Sequence, residues 1–167
     1  MSETEQKTVK TDKEKSEEAL VIVRRYVWWS LGAGLVPVPF VDMIVIAGIQ
    51  LKMISEISKV YGVEFSASRG QAIVGSLIGS IFPEFMATVV ATFLKTVPGG
   101  IAGGTMVFFS GATAWALGKV FIQHFESGGT FLNFEPGQVR EYFREQFEEG
   151  RKITSTMNRE RKTQVPA

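Results

Sequence analysis

The chain has 167 residues, of which 45% are hydrophobic, 18 are basic, 17 are acidic and none is cysteine. Without cysteine these residues can form neither a disulfide framework nor a thiolate metal site, and they offer no cysteine nucleophile. The net charge of +1 argues against a general nucleic-acid binder, which normally carries a basic excess on one face.

Charge is concentrated at the two ends of the chain. Residues 1–18 carry 10 charged side chains and residues 124–167 carry 14, whereas the 105 residues between them carry 11. The near-neutral average therefore combines a very apolar middle with two polar ends. We predict a disordered polar tail over 1–15, because these residues have too little apolar surface to offset the entropy of ordering.

The first apolar block predicts two helices. Helical periodicity begins near Ser16, and the first helix ends before a hairpin turn at Pro37 and Pro39. The second helix is predicted from Pro39 to Tyr61, with Gly62 as its stop signal. Its first half is apolar all round and its second half carries a polar stripe, so the helix passes from one environment into another.

The second apolar block predicts further helices separated by prolines. A helix over 71–81 is broken or kinked by Pro83 and continues over 84–95, and Pro98 then turns the chain. The next helix is predicted over 101–125. Its glycines lower its mean hydropathy without interrupting the apolar run.

A last, amphipathic helix is predicted from Pro136, after Gly128 and Gly129 close the preceding one. Its apolar stripe consists of Val139, Tyr142, Phe143, Phe147 and Ile153. We therefore predict an all-α fold. Its parts are the tail over 1–15, an apolar helical hairpin domain over 16–125, a loop and C-terminal amphipathic helix over 126–158, and a flexible tail over 159–167.

The uncharged runs predict a helical membrane-associated bundle built of two apolar hairpins plus the C-terminal helix. A transmembrane helix needs about 20 predominantly apolar residues, and only the 23-residue run over 96–118 is long enough by itself. With two hairpins, 17 of the 18 basic residues lie on one side, which is the asymmetry of a cytoplasmic face. This predicts both termini in the cytoplasm. Spanning and re-entrant hairpins both stay open, and the alternative is a water-soluble bundle.

One short segment has the pattern of a membrane-interface anchor. Arg24 and Arg25 stand directly before Tyr26, Trp28 and Trp29. Cationic side chains suit the headgroup region, and amphipathic aromatic rings suit the same depth. We predict that these five residues meet the bilayer surface.

Asp42 and Glu84 are the two acidic residues within the apolar blocks. Each closely follows a proline, so the simpler interpretation is a carboxylate in the first turn of a helix, where free amides and the helix dipole favour it. The alternative is a proton or cation path, because ionisable groups inside membranes tend to be functional.

Small residues four apart predict close helix packing. Such pairs allow helix backbones to approach each other in a membrane, and they serve packing within one chain or contact between copies. The glycines in these pairs are Gly75, Gly79, Gly99, Gly103, Gly100 and Gly104, and two further pairs are Ala112 with Ala116 and Ala114 with Gly118.

No catalytic, cofactor or metal site is predicted. Val120 stands where a phosphate-binding loop containing Lys119 requires Ser or Thr. The sole histidine, His124, cannot form a zinc site without three further ligands, and its place at a helix end predicts a favourable interaction with the helix dipole. These observations favour a protein that is not an enzyme.

Several stretches resemble a bacterial domain-of-unknown-function family of the YcjF type. They are 34–42 (GLVPVPFVD), which is the most specific, and 50–54, 57–63, 125–129 and 142–150. The resemblance covers about residues 16–155 and implies a membrane-associated helical module, often joined to or encoded near Era-like GTPases. Since these 167 residues include no GTPase motif, the resemblance implies a GTPase partner on a separate chain.

We therefore predict a non-enzymatic anchor or scaffold in the bacterial inner (cytoplasmic) membrane, without a cofactor and without nucleic acid. Its expected partners are the lipid bilayer, a second copy of the chain and a separate GTPase. Two alternatives stay open. One is an ion channel or transporter subunit, in which Asp42 and Glu84 would act, and the other is a soluble helical binding module.

Overall fold

The computed structural model describes residues 10–33, 41–95 and 102–164, and it describes side chains for 10–31, 47–87, 108–161 and 163. Over these ranges the chain forms α1 (Asp12–Ala33), α2 (Val41–Tyr61), α3 (Ala67–Lys95), α4 (Ala102–Glu126) and α5 (Pro136–Gln164), with no strand. The predicted all-α class is confirmed for this part of the chain. The predicted turn at Pro37 and Pro39 lies outside the described residues.

The described stretches of the five helices lack the combination of length and hydropathy that crossing a bilayer requires.

The first helix begins with a capping box. The backbone N–H of Glu14 donates to Thr11 Oγ1 at 3.3 Å, and the backbone N–H of Thr11 donates to Glu14 Oε2 at 2.7 Å. The second bond lowers the pKa of Glu14. Because two free amides are satisfied here, the helix begins at Asp12 and includes the last four residues of the predicted tail.

Two helices end at glycines with positive φ, as predicted. Gly62 has φ 70° and Gly128 has φ 78°, a conformation that costs other residues more than glycine. Beyond α4, Gly129 N donates to His124 O at 2.9 Å and Gly128 N donates to Phe125 O at 3.0 Å. This is the Schellman pattern, and the matching pair of bonds closes α2. The predicted stops at Gly62 and Gly128 are confirmed.

Of the break or kink predicted at Pro83, the break is wrong, because α3 continues through it from Ala67 to Lys95. Proline removes the bond to the carbonyl four residues earlier and crowds the preceding turn. On this turn, Arg144 Nη2 from α5 donates to Ser80 O at 3.2 Å. A side chain of α5 therefore donates a hydrogen bond to the turn of α3 that precedes the proline.

The core surrounds α4, which contacts each of the other four helices. All ten residues over 109–118 are buried, and most of them are Ala, Gly, Ser or Thr. A helix that is enclosed on every side must be apolar or small all round. The aromatic side chains of Phe121, Phe143 and Tyr26 are among the largest that are fully buried in this core.

Successive helices run in alternating directions. Val23 of α1 lies against Gly118 of α4, and the rings of Phe85 and Phe109 are 4.0 Å apart between α3 and α4. We call the end at which α1 and α5 finish the distal end. There Arg161 Nη1 donates to Leu31 O at 3.1 Å.

The position of α5 departs from the two-hairpin arrangement. In that arrangement, all residues from Lys119 onward lie on the side opposite the first turn. In the structure α5 instead returns along α4, and Gly150 lies against Ala112. The basic second half of α5 is consequently beside the end of α1, and the helix extends to Gln164 through most of the predicted C-terminal tail.

Candidate functional site

A groove of about 930 Å³ lies between α3, α4 and α5. Its apolar lining is formed by Ile81, Phe85, Phe108, Phe109 and Phe147. The centroid of the Phe109 ring is 4.0 Å from that of Phe85 and 5.6 Å from that of Phe147. Packed rings of this kind form a stable apolar surface, and the volume lies within the range of small-molecule sites.

Charged side chains surround this apolar lining, and most of them come from α5. They are Arg144, Glu148, Arg151, Lys152 and Arg159 from α5, and Glu84 from α3. Residues spaced three, four or seven apart share one face of a helix. The sequence of α5 therefore places its charges along one side of the groove, next to the apolar stripe that contacts α4.

The two carboxylates of the groove are both paired. Arg144 Nη2 is 2.9 Å from Glu84 Oε1, and Arg151 Nη1 is 3.1 Å from Glu148 Oε1. Lys152 is exposed, as is Arg159, and neither forms an ion pair within the described part of the chain. With four basic and two acidic side chains, the groove has an excess of two positive charges, so it can attract an anion.

The charge of α5 changes along its length. Residues 136–149 contain two basic and four acidic side chains, whereas residues 151–164 contain five basic and one acidic side chain. The basic half extends to the distal end of the bundle, where Arg161 contacts α1. The sequence predicted an amphipathic helix here without this change of charge, although counting charges in each half would have revealed it.

The predicted membrane anchor divides between the surface and the core. Trp28 is 39% exposed and Trp29 is 51% exposed, and Arg24 is exposed on the same helix. The guanidinium of Arg25 lies 6.0 Å from the centroid of the Trp29 ring and forms an ion pair with Glu56. The surface of α1 thus combines cations with indole rings near the distal end.

Tyr26 does not share that surface. Its side chain is fully buried, and its hydroxyl donates to Glu56 Oε1 at 2.7 Å. Burial, followed by this contact with the carboxylate, raises the pKa of the hydroxyl. Tyr26 therefore joins α1 to α2 rather than facing the surroundings of the bundle.

The structure separates the two predicted intramembrane acids. Glu84 lies in the middle of α3 rather than in a first helical turn, and it is paired with Arg144 at the groove. Asp42 belongs to α2, and its side chain lies outside the described residues.

Gly75 and Gly79 lie on an exposed face of α3, where an added Cβ would have no neighbour within 4 Å. They do not bring α3 close to another described helix. Gly99 and Gly100 lie outside the described residues. Gly103 and Gly104 belong to α4, but their packing is outside the described part of the chain.

Other small residues do pack between helices. A Cβ at Gly118 would overlap Val23 Cγ2, one at Gly111 would lie 2.8 Å from Thr154 Cγ2, and one at Gly150 would lie 2.8 Å from the carbonyl oxygen of Ala112. Such distances are below ordinary contact, so a Cβ at any of these positions would force the neighbouring atoms to shift. We call these contacts, which join α4 to α1 and α5, the glycine seam.

Gln50 is a buried polar residue that sequence reasoning used only as part of a family resemblance. It is 1% exposed, and within the described part of the chain neither its amide nitrogen nor its amide oxygen has a hydrogen-bond partner. A buried amide without partners costs free energy. Its place in the apolar run of α2 was the signal available in the sequence.

The described residues contain no group of three His, Asp or Glu side chains arranged to hold a metal ion. His124 instead contacts the loop after α4. Its Nε2 lies 2.9 Å from Thr130 O, and its ring packs edge-on against Phe134.

Comparison with known proteins identifies the family. The model of a domain of unknown function, DUF697, matches residues 3–152. The chain is also 35% identical over 138 residues to magnetosome membrane protein 22 of Magnetospirillum gryphiswaldense, an alignment that covers 80% of this chain and 71% of that protein. No solved structure matches it. The predicted membership of a family of unknown function is confirmed at this level: the chain belongs to the DUF697 family.

Proposed function

We propose that the protein is a non-enzymatic anchor or scaffold that associates with the bacterial cytoplasmic membrane, with both termini on the cytoplasmic side. The observation that carries this proposal is the exposed surface of Arg24, Trp28 and Trp29 on α1. Indole rings beside basic groups are favoured at the bilayer interface. Similarity to a protein named as a magnetosome membrane protein supports the same location.

Association at the interface fits the helices better than a straight crossing. The described stretches are too short or too polar to cross a bilayer, and Arg161 lies beside the end of α1. A basic side chain at the distal end, such as Arg161, suits the headgroup region of a bilayer rather than its hydrocarbon core. In this proposal the distal end faces the membrane.

Cell fractionation tests the membrane proposal. The full chain, expressed in bacteria, is expected in the membrane pellet after ultracentrifugation, and Trp28→Ser with Trp29→Ser should move most of it to the supernatant. Leu132→Ser is the control, because Leu132 is 74% exposed but lies at the opposite end of the bundle. Wild-type protein found wholly in the supernatant would contradict the proposal.

Two protein partners belong to the same proposal. A separate GTPase chain is expected from the family resemblance, and a second copy of this chain is expected from the exposed Gly75 and Gly79. Affinity purification of the full chain with GDP or with a non-hydrolysable GTP analogue tests the GTPase partner. If the co-purified proteins are the same with both nucleotides and include no GTPase, this partner is contradicted.

Light scattering of wild-type protein and of Gly75→Ile tests self-association. A monomeric wild type would contradict it.

A further inference from the structure

We propose that the groove between α3, α4 and α5 binds one anionic phospholipid, with an acyl chain on its aromatic lining and the phosphate at Lys152 and Arg159. This assignment rests on the proposed membrane association. It goes beyond that proposal because it names a specific lipid class and a site for it.

The apolar lining suits a hydrocarbon chain. Phe85, Phe109 and Phe147 form connected ring contacts, and the groove has a volume of about 930 Å³. Phe85 and Phe108 are partly exposed on this lining, and a hydrocarbon chain would cover them, whereas a small polar anion would not. Burial of apolar surface stabilises such a complex in proportion to the area covered.

The charge of the groove suits one anionic headgroup. Glu84 and Glu148 are already paired with arginines, which leaves Lys152 and Arg159 as the excess cations. They stand seven residues apart on α5, about 10 Å along the helix axis, and Ser155 lies between them on the groove. A phosphodiester can accept hydrogen bonds from an ammonium, a guanidinium and a hydroxyl together.

The position of the groove favours a lipid over an acidic protein segment. Arg159 lies within two residues of Arg161, which contacts the carbonyl of Leu31 at the distal end. The exposed Trp28 and Trp29 belong to the last turns of α1, at the same end. A bilayer that meets this end would therefore bring headgroups close to the basic half of α5.

The test is calorimetric titration of the full chain with dihexanoyl phosphatidylglycerol and dihexanoyl phosphatidylcholine below their critical micelle concentrations. We expect the anionic lipid to bind more tightly, and Lys152→Gln with Arg159→Gln to weaken it about 30-fold. Lys59→Gln with Arg69→Gln is the matched control, since both residues are exposed and lie outside the groove. It should change the affinity less than about twofold, because salt screens distant surface charges.

Several results would overturn the assignment. Equal binding of the two lipids, or equal effects of the two double variants, would remove the headgroup site. If glycerophosphoglycerol, which has no acyl chains, binds as tightly as the lipid, the groove is a simple anion site and its aromatic lining does not bind an acyl chain. Preferential binding of an acidic helical peptide, or self-association that only the groove variant abolishes, would assign the groove to a protein partner.

A parallel sedimentation with phosphatidylcholine vesicles containing phosphatidylglycerol separates the two proposals. If the protein pellets with vesicles but does not discriminate between the short-chain lipids, membrane association stands and the groove assignment fails. If it binds the short-chain anionic lipid but stays in the supernatant, the groove assignment stands and membrane association fails. Circular dichroism melts of both variants within about 2 °C of wild type confirm intact folds.

Discussion

The glycine seam and the groove show two ways in which α5 meets its neighbours. At the seam, Gly150 contacts the backbone of Ala112, and Gly111 contacts Thr154. At the groove, Phe147 lines a space of about 930 Å³ between α3, α4 and α5, and Arg144 reaches across to Glu84 of α3. Side-chain size along one helix thus determines where the bundle is closed and where it can accept a ligand.

Small residues spaced four apart pack against a neighbouring helix at some positions and lie on an open face at others. Gly118 touches Val23 between α4 and α1, whereas Gly75 has no neighbour on the exposed face of α3. Close approach requires a partner helix at that position, and spacing alone does not provide it. Substitutions at the two kinds of glycine should therefore change stability in opposite directions.

The largest effect is expected for Gly150→Ala. The new Cβ would lie 2.8 Å from the Ala112 carbonyl oxygen and 2.9 Å from its Cα, and backbone atoms cannot rotate away. We expect the free energy of unfolding to fall by about 3 kcal/mol, measured by urea denaturation. Gly137→Ala is the control in the same helix, since its Cβ would meet nothing within 4 Å. Equal effects of the two substitutions would contradict the close seam.

Gly118→Ala should lower the free energy of unfolding by about 2 kcal/mol, because the new methyl would overlap Val23. Here the obstacle is a side chain, so Val23→Ala makes room for it. The double variant should lose at least about 1 kcal/mol less than the sum of the single losses. Additive losses in a double-mutant cycle would show that the two residues do not touch.

Gln50→Met tests the opposite case, in which a polar group occupies the core. Methionine has a similar shape and needs no hydrogen-bond partner, so the free energy of unfolding should rise by about 1 to 2 kcal/mol. Thermal denaturation of the full chain measures the change. Since Gln50 is 1% exposed, a loss of stability would mean that its amide is satisfied after all.

The smallest effect is expected for Gly75→Ala on the open face of α3. Alanine has a higher helix propensity and meets no obstacle here, so the free energy of unfolding should rise by about 0.5 to 1 kcal/mol. The measurement is made on monomeric protein, so that contact between copies does not contribute. A loss comparable to that of Gly118→Ala would place Gly75 in a packed seam and remove the distinction.

Local signals predicted much of the helical framework. Gly62 and Gly128 mark helix ends because glycine adopts positive φ at little cost, and Pro136 marks a helix start because its fixed φ suits the first helical turn. A break at Pro83 does not occur in α3, and the contact of Arg144 with the adjacent turn, from a residue 64 positions away, could not be read from the local sequence. The capping box at Thr11 and Glu14 was present in the sequence and would have placed the start of α1.

The candidate site was less accessible to sequence reasoning. Of its aromatic residues, only Phe147 was predicted, in the apolar stripe of the last helix. Glu84 was considered apart from Arg144, because their contact depends on how α3 and α5 are placed. The exposed tryptophans followed from composition and helical position. The burial of Tyr26 did not, since it results from contact with Glu56 on α2.

Tryptophan quenching in vesicles measures whether the distal end meets a bilayer at its interface. The chain has three tryptophans, and Trp115→Phe leaves Trp28 and Trp29 as the reporters. If the distal end lies at the interface, tryptophan emission should shift to the blue on adding anionic vesicles, and lipids brominated near the headgroup should quench it more strongly than lipids brominated at the chain end. Unchanged emission, or the strongest quenching at the chain end, would contradict it.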